Sequence, residues 1–386
     1  MKVKCLAGLL SLLFLLYNAK CVYAEEALPV IGSYASAVII EETTGRVLYE
    51  QNMSARRPMA STTKVMTALV ALENSSLDET VTASKNASGV PGTSIYLSIG
   101  ESLTMREMLY GLMLASGNDA AVAIAEHIGG SVDGFAEMMN ARAAELGLSN
   151  TCFLTPHGLP KDGHYTSAYD LAMIAREAMK SEVFREIVGT RRGRIPWHGR
   201  EYERILINKN KLLAGYSGAT GIKTGYTKAA GRCLVFSAER EGLSLIGVVL
   251  NCPDWFSDAQ SLLDSVFLKT EMAEFISEGE EIRSVSVENG VSDSLSVIAG
   301  GRLAYPLLDG EDYPSVLIDL PPSFPAPIYQ GQSVGMVSLE MNGRIVARVP
   351  IIAEESVAER TFRAALDGII ARWLAIGAYR IPCVNR

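Results

Sequence analysis

Residues 58–70 read PMASTTKVMTALV, and two readings of them compete. Ser61 and Lys64 stand three residues apart at the head of an apolar run whose one polar member between Val65 and Leu72 is Thr67. A helix that is apolar nearly all round is a buried one. Residues three apart share a face, so Lys64 lies beside Ser61 with no easy path to water. In one reading Ser61 is an N-cap that satisfies an orphan amide while Lys64 points into solvent. In the other, Ser61 is a nucleophile and Lys64, whose neutral form burial favours, takes its proton. The pair alone leaves both open.

The rest of the chain narrows the field. Its 386 residues are 48% hydrophobic, enough for about two domains and a large core. A net charge of −8 argues against a nucleic-acid partner. One basic cluster, Arg191, Arg192, Arg194, Arg200 and Arg204, straddles Pro196-Trp197-His198-Gly199 and reads as an exposed hairpin. At the N-terminus, Lys2 and Lys4 precede an apolar run from Cys5 to Tyr17, and Val22-Tyr23-Ala24 places small residues before Glu25. Residues 1–24 are therefore expected to be a secretory signal peptide, with the mature protein working outside the cytoplasm. The run is too short to span a bilayer, and Lys20 spoils a lipoprotein site at Cys21. Of six cysteines, Cys5 and Cys21 fall in the signal, and Cys152, Cys233, Cys252 and Cys383 form no CxxC pair. Cys233 and Cys252 fall on strands expected to be neighbours, so a bridge and two buried thiols are both open. Four histidines, none at ligand spacing, lead to the expectation of no metal and no cofactor.

Hydrophobic periodicity lays out the elements. Tyr34–Glu42 and Arg46–Glu50 read as a hairpin about Thr43-Thr44-Gly45. Helical patterns follow from Ser61, then over Thr104–Leu114, Asp119–Ile128, Val132–Leu146 and Ala168–Met179. Thr220–Tyr226, Arg232–Glu239 and Leu243–Asn251 read as strands, and Trp255–Leu268 as a closing helix. Strands, a helical block, then strands again imply an α+β domain with an antiparallel sheet backed by helices, over residues 25–278. Past Glu278, short β-rich runs separated by Gly and Pro imply a small all-β domain over 279–355. In the last segment, 356–386, Phe362, Leu366, Ile369, Ile370, Trp373, Leu374 and Ile376 share a helical face against Arg363, Asp367 and Arg372. That helix either packs on its own β domain or lies in a membrane interface; Trp, Arg and terminal position favour the membrane.

Three short motifs then recur in one order: Ser61-Thr62-Thr63-Lys64, Ser116-Gly117-Asn118 and Lys223-Thr224-Gly225. Singly each has a plain reading. Ser116 could cap the helix that follows it, Lys223 could be a surface strand residue, and Ser84-Lys85-Asn86 is a second Ser-x-Asn in a polar loop. His157 reads as a loop-holding residue and Asp170 as a first-turn acid or a cap. The three motifs together make independent plain readings untenable. Cleaving a peptide through an acyl-enzyme needs an activated hydroxyl, a proton shuttle, an oxyanion pocket and a substrate anchor. Ser61, Lys64 and Ser116 supply the first two. Asn118 can hold the substrate amide and the Lys64 side chain, Lys223 and Thr224 can bind a terminal carboxylate, and Gly225 lets substrate lie on the strand.

In these motifs the chain resembles the penicillin-binding, active-site-serine D,D-peptidases, and within them the low-molecular-weight D-alanyl-D-alanine carboxypeptidases. RRPMASTTKVMTALVALE, LMLASGNDAAVAIAE, TPHGL, TSAYDLAMIAREAM, NKNKLL and GIKTGYTKAAGRCLVFSAER share in it. The resemblance implies a serine β-lactamase/D,D-peptidase-like catalytic domain with a helical subdomain. It also implies an oxyanion hole at the backbone amides of Ser61 and Tyr226. Its implied partners are peptidoglycan stem peptides ending in D-Ala-D-Ala, β-lactams as covalent inhibitors, and the membrane surface. One rival is a β-lactamase, but no Glu-x-x-Leu-Asn lies between Asn118 and Lys223. Another is a catalytically silent penicillin-binding scaffold, which intact Ser61, Lys64, Ser116 and Lys223 argue against.

Overall fold

The computed structural model describes residues 32–362 together with Leu366 and Ile370. The signal peptide expected at 1–24 and most of the expected terminal helix lie outside the described residues. Among those residues no helix is long and apolar enough to cross a membrane.

The strand Ser36–Glu41 is buried at every position. A strand without an exposed face needs cover on both sides, and it receives it. It sits inside a five-stranded antiparallel sheet ordered Val47–Gln51, Ser36–Glu41, Leu243–Leu250, Gly231–Arg240, Ala219–Thr227. The helices Ala168–Met179 and Trp255–Lys269 pack on it. The helix Lys64–Asn74 is buried from Lys64 to Ala71 because Met105–Met113, Asn118–Gly129, Val132–Glu145 and Ala168–Met179 all pack around it. Sheet and helical block share one continuous core. The α+β class read from the sequence is the class observed.

Several local readings are corrected by tertiary contact. Ser84 is not in a bare loop: it caps the short helix Lys85–Gly89, accepting from Ala87 N, and donates to Glu126. The basic hairpin forms from Arg192–Ile195 and Arg204–Ile207, but Arg204 is no surface cation. It is buried, ion-paired with Glu101 at 2.9 Å, and its guanidinium lies 5.0 Å from the Trp197 ring. A further helix, Glu182–Gly189, capped by Ser181, lies between the helix Ala168–Met179 and the basic hairpin. Cys152, Cys233 and Cys252 are free, which resolves the open alternative in favour of thiols. Burial pushes Cys233 up to about 11 and Cys252 up to about 12, so both stay protonated and unreactive.

A second core lies under a six-stranded sheet and a two-stranded one. Thr270–Ile276 pairs with Leu303–Leu308 and places Ala273 and Ile276 in this second core. At the other end Val357 is 2% exposed there and bridges Ile328. The compositional limits 279 and 355 thus fall inside the unit, because an alternating strand and a lone buried valine leave no compositional mark. Arg46 fastens the two cores: it bonds the Pro306 carbonyl and Glu311 and faces the Tyr305 ring.

Candidate active site

Ser61 lies in a 3₁₀ turn, Ala60–Thr63, that runs into the helix from Lys64. It caps nothing: no side chain caps either segment. Its neighbours hold the turn instead. Thr62 Oγ1 donates to Met59 O at 2.6 Å and Thr63 Oγ1 to Ala60 O at 2.8 Å. Ala60 has φ +49° and Ser116 φ +64°. Both are left-handed positions that a side chain disfavours, a form of strain that gathers at functional sites.

Lys64 is fully buried. Its Nζ is 3.0 Å from Ser61 Oγ, 2.7 Å from Asn118 Oδ1 and 2.9 Å from the His157 carbonyl. The orientation of the Asn118 amide is fixed independently, because Nδ2 donates to the Pro91 carbonyl at 2.7 Å and so turns Oδ1 to Lys64. Burial first, then repulsion from Lys223 and Lys209, holds Lys64 well below the ordinary lysine range, with Asp119 opposing. Lys223, also buried, is lowered to about 7 by burial and by Lys209, and donates to Thr224 O at 3.0 Å.

Ser116, Gly117 and Asn118 enter the site as the start of helix Asn118–Gly129. The residue at its N-cap is Gly117, so Ser116 is not the cap that a sequence reading allows. Its place in the cleft is held by Asp119, whose carboxylate accepts from Ile95 N, Leu97 N and Ser94 Oγ and so fixes the loop beside it. Asn118 N in turn donates to Thr93 O at 2.7 Å. The strand Ala219–Thr227 closes the site. A Cβ on Gly225 would lie 3.0 Å from the amide nitrogens of both Ser61 and Thr62, tighter than most real contacts, so a side chain there would press on the turn that carries Ser61.

The cleft above has a volume of about 550 Å³ and is lined by Ser61, Ser116, Thr224, Gly225 and Tyr226. The structure therefore brings together Ser61, Lys64, Ser116, Asn118, Lys223, Thr224, Gly225 and Tyr226. Sequence reading missed Asp119, the His157 carbonyl, and Lys209, Lys211, Arg232, Trp255 and Phe256 on the cleft wall. Asp119 follows the Ser-Gly-Asn motif directly, and Lys209 and Lys211 sit in NKNKLL. Adjacency was the available signal. His157 does hold a loop, accepting Leu159 N on Nδ1, and burial lowers it to about 3. Among the described residues no cluster of His, Cys, Asp and Glu could hold a metal ion.

With this fold, a serine hydroxyl bonded to a buried lysine defines the class: an active-site-serine enzyme of acyl transfer. The chain belongs to the D-alanyl-D-alanine carboxypeptidase family, whose model matches residues 25–254. A second family model, penicillin-binding protein 5, C-terminal domain, matches residues 271–359. The chain is 35% identical over 348 residues to D-alanyl-D-alanine carboxypeptidase DacF of Bacillus subtilis, covering 88% of this chain and 89% of that one. It is 33% identical over 344 residues to DacA of Escherichia coli, covering 85% and 84%. Among solved structures it is similar to penicillin binding protein 5 from Haemophilus influenzae, with a TM-score of 0.68 and 28% identity, covering 86% of this chain and 99% of that chain. The Streptomyces K15 DD-transpeptidase gives a TM-score of 0.59 and 37% identity over 61% of this chain and 98% of its own.

Proposed function

We propose that this D-alanyl-D-alanine carboxypeptidase works through an acyl-enzyme on Ser61, with Lys64 as general base. The carrying observation is the set of partners around Lys64 Nζ. A neutral amine has two N–H donors and one lone pair. Asn118 Oδ1 and the His157 carbonyl only accept, so they take both hydrogens. The remaining partner is a hydroxyl, which is left to donate into the lone pair. Burial and the neighbouring cations favour this neutral state.

Ser61 Oγ attacks the carbonyl carbon of the penultimate D-alanine while its proton passes to Lys64. The oxyanion meets the amides of Ser61 and Tyr226, a reading supported by the approach of Gly225 to the Ser61 amide. Ser116 relays the proton to the nitrogen of the departing D-alanine as the C–N bond breaks. Water then attacks the ester and the same groups return Ser61 to its hydroxyl form. Lys223 and Thr224 anchor the terminal carboxylate, Asn118 holds the substrate amide, and Gly225 lets the substrate backbone lie on the strand. Penicillin presents a comparable amide and carboxylate, so it acylates the same Ser61. Its opened ring stays tethered and blocks water, and the adduct persists.

The substrate is then the peptidoglycan stem peptide ending in D-Ala-D-Ala. Residues 1–24 export the chain to the cell-wall space, and the amphipathic segment in 356–386 holds it at the membrane surface. The test is intact-mass spectrometry with penicillin alongside D-alanine release from a pentapeptide. Wild type should carry one persistent adduct on Ser61, and Ser61→Ala should lose both adduct and turnover, as should Lys64→Ala, because the two act as a unit. Near wild-type turnover by either variant refutes the assignment. Rapid return to unmodified mass, with many equivalents of penicillin hydrolysed, would make the protein a β-lactamase instead.

A further inference from the structure

The terminal carboxylate of the substrate is accounted for by Lys223 and Thr224, yet the same cleft carries three more cations, Lys209, Lys211 and Arg232. No aspartate or glutamate lines it. None of the three forms an ion pair with a carboxylate among the described residues. In a chain of net charge −8, a cluster of cations without ion pairs at the cleft is a focused field for anions. Lys209 leans inward to Thr93 Oγ1 at 3.5 Å and depresses Lys64 and Lys223. Lys211 and Arg232 lie exposed.

Arg232 is more than a loose surface charge. Nη1 donates to the Pro253 carbonyl, and the guanidinium lies 5.9 Å from the Trp255 ring centroid. A carbonyl and an indole together hold the fork at the cleft wall, which reduces the entropy lost on binding a carboxylate. Its position gives the direction. Arg232 stands opposite Tyr226 in the sheet, two residues beyond Thr224, or about 7 Å along the strand. Thr224 marks the leaving end of the substrate, so Arg232 lies past the reacting carbonyl, on the acyl side.

We infer that Arg232 and Lys211 form a subsite for a second carboxylate, carried on the side chain of the residue immediately before the D-alanyl-D-alanine unit. The inference rests on the carboxypeptidase reading and names the stem peptide that the site selects: one acidic at that position. Arg232 binds in a forked, two-bond mode and Lys211 as a point charge.

The test measures kcat/KM for D-alanine release by the full mature chain from two peptides of equal length, differing in glutamyl or glutaminyl at that residue. Wild type should prefer the glutamyl peptide about tenfold, equivalent to about 1.4 kcal/mol, and the preference should shrink with added salt. In Arg232→Gln and in the double variant with Lys211→Gln the ratio should fall toward one, and Arg232→Lys should restore only part of it. Because the ratio is taken within each protein, loss of folded enzyme does not move it. A wild-type ratio near one, or a ratio unchanged in the double variant, overturns the subsite. Release from neither peptide overturns the carboxypeptidase reading itself.

Discussion

At the scale of the residue, two buried lysines need opposite protonation states. Lys64 must be neutral to take a proton, while Lys223 must be charged to hold a carboxylate. Both are depressed by burial, and Lys209 depresses both further. The sign for stability follows from linkage. Lys223 sits at about 7 in the folded chain against 10.5 for an ordinary lysine, so between those values the unfolded chain binds more protons. Its contribution to stability is full above about 10.5, and is lost as pH falls through about 7. For activity, Lys209→Gln removes one repelling charge and raises both lysines. The acid limb of the pH profile for kcat should move to higher pH, and carboxylate binding, read in KM, should extend to higher pH. An acid limb that stays in place would show that Lys209 does not tune Lys64.

The element that matters most is the turn Ala60–Thr63, and it is held from a distant loop. Leu154 N donates to His164 Nδ1 at 2.9 Å, so the ring proton sits on Nε2 and points at Thr63 Oγ1, 3.0 Å away. Thr63 Oγ1 in turn donates to Ala60 O. Gly158 lies against the same turn, where a Cβ would strike Ala60 O. This relay requires a neutral ring, and burial lowers His164 to about 4. Between about 4 and 6.5 the unfolded chain binds the proton that the folded chain refuses, so stability rises with pH across that window. His164→Ala should destabilise the protein by about 1–3 kcal/mol, the cost of unpaired buried groups. It should also lessen that pH dependence, of which His157, lowered to about 3, keeps its own share. Urea unfolding between pH 4 and 7 checks both, and an unchanged slope would remove His164 as a source of it.

Across the whole molecule the catalytic and β units are joined by Arg46, and the second core runs as far as Val357. Arg360 N donates to Asn289 O, and its guanidinium pairs with Asp293, so a cut at 353 would open that core. Truncation after Thr361 spares it. The mature protein ending at Thr361 should keep its activity on small peptides and lose membrane association, since Phe362, Leu366 and Ile370 stand exposed at the start of the apolar face. Sedimentation with membranes decides the matter: a truncated protein that still pellets is anchored elsewhere.

What the sequence determined by itself was local. The apolar run after Lys64 made a buried helix, the alternating segments made strands, and three motifs marked the residues that meet in the cleft. Each is a pattern of neighbours, and periodicity and spacing report neighbours. The tertiary structure alone decided what else those residues touch. The meeting of Lys64 with Asn118 was legible because both belong to motifs, whereas Lys64 meets the His157 carbonyl across 93 residues, a contact that leaves no trace in any local window. The same holds for Arg204, which one buried carboxylate turned from a surface cation into an anchor, and for Arg232, whose meaning depends on the strand it faces. A hydrogen bond is set by distance and direction in space, and the chain order carries neither until the core has closed.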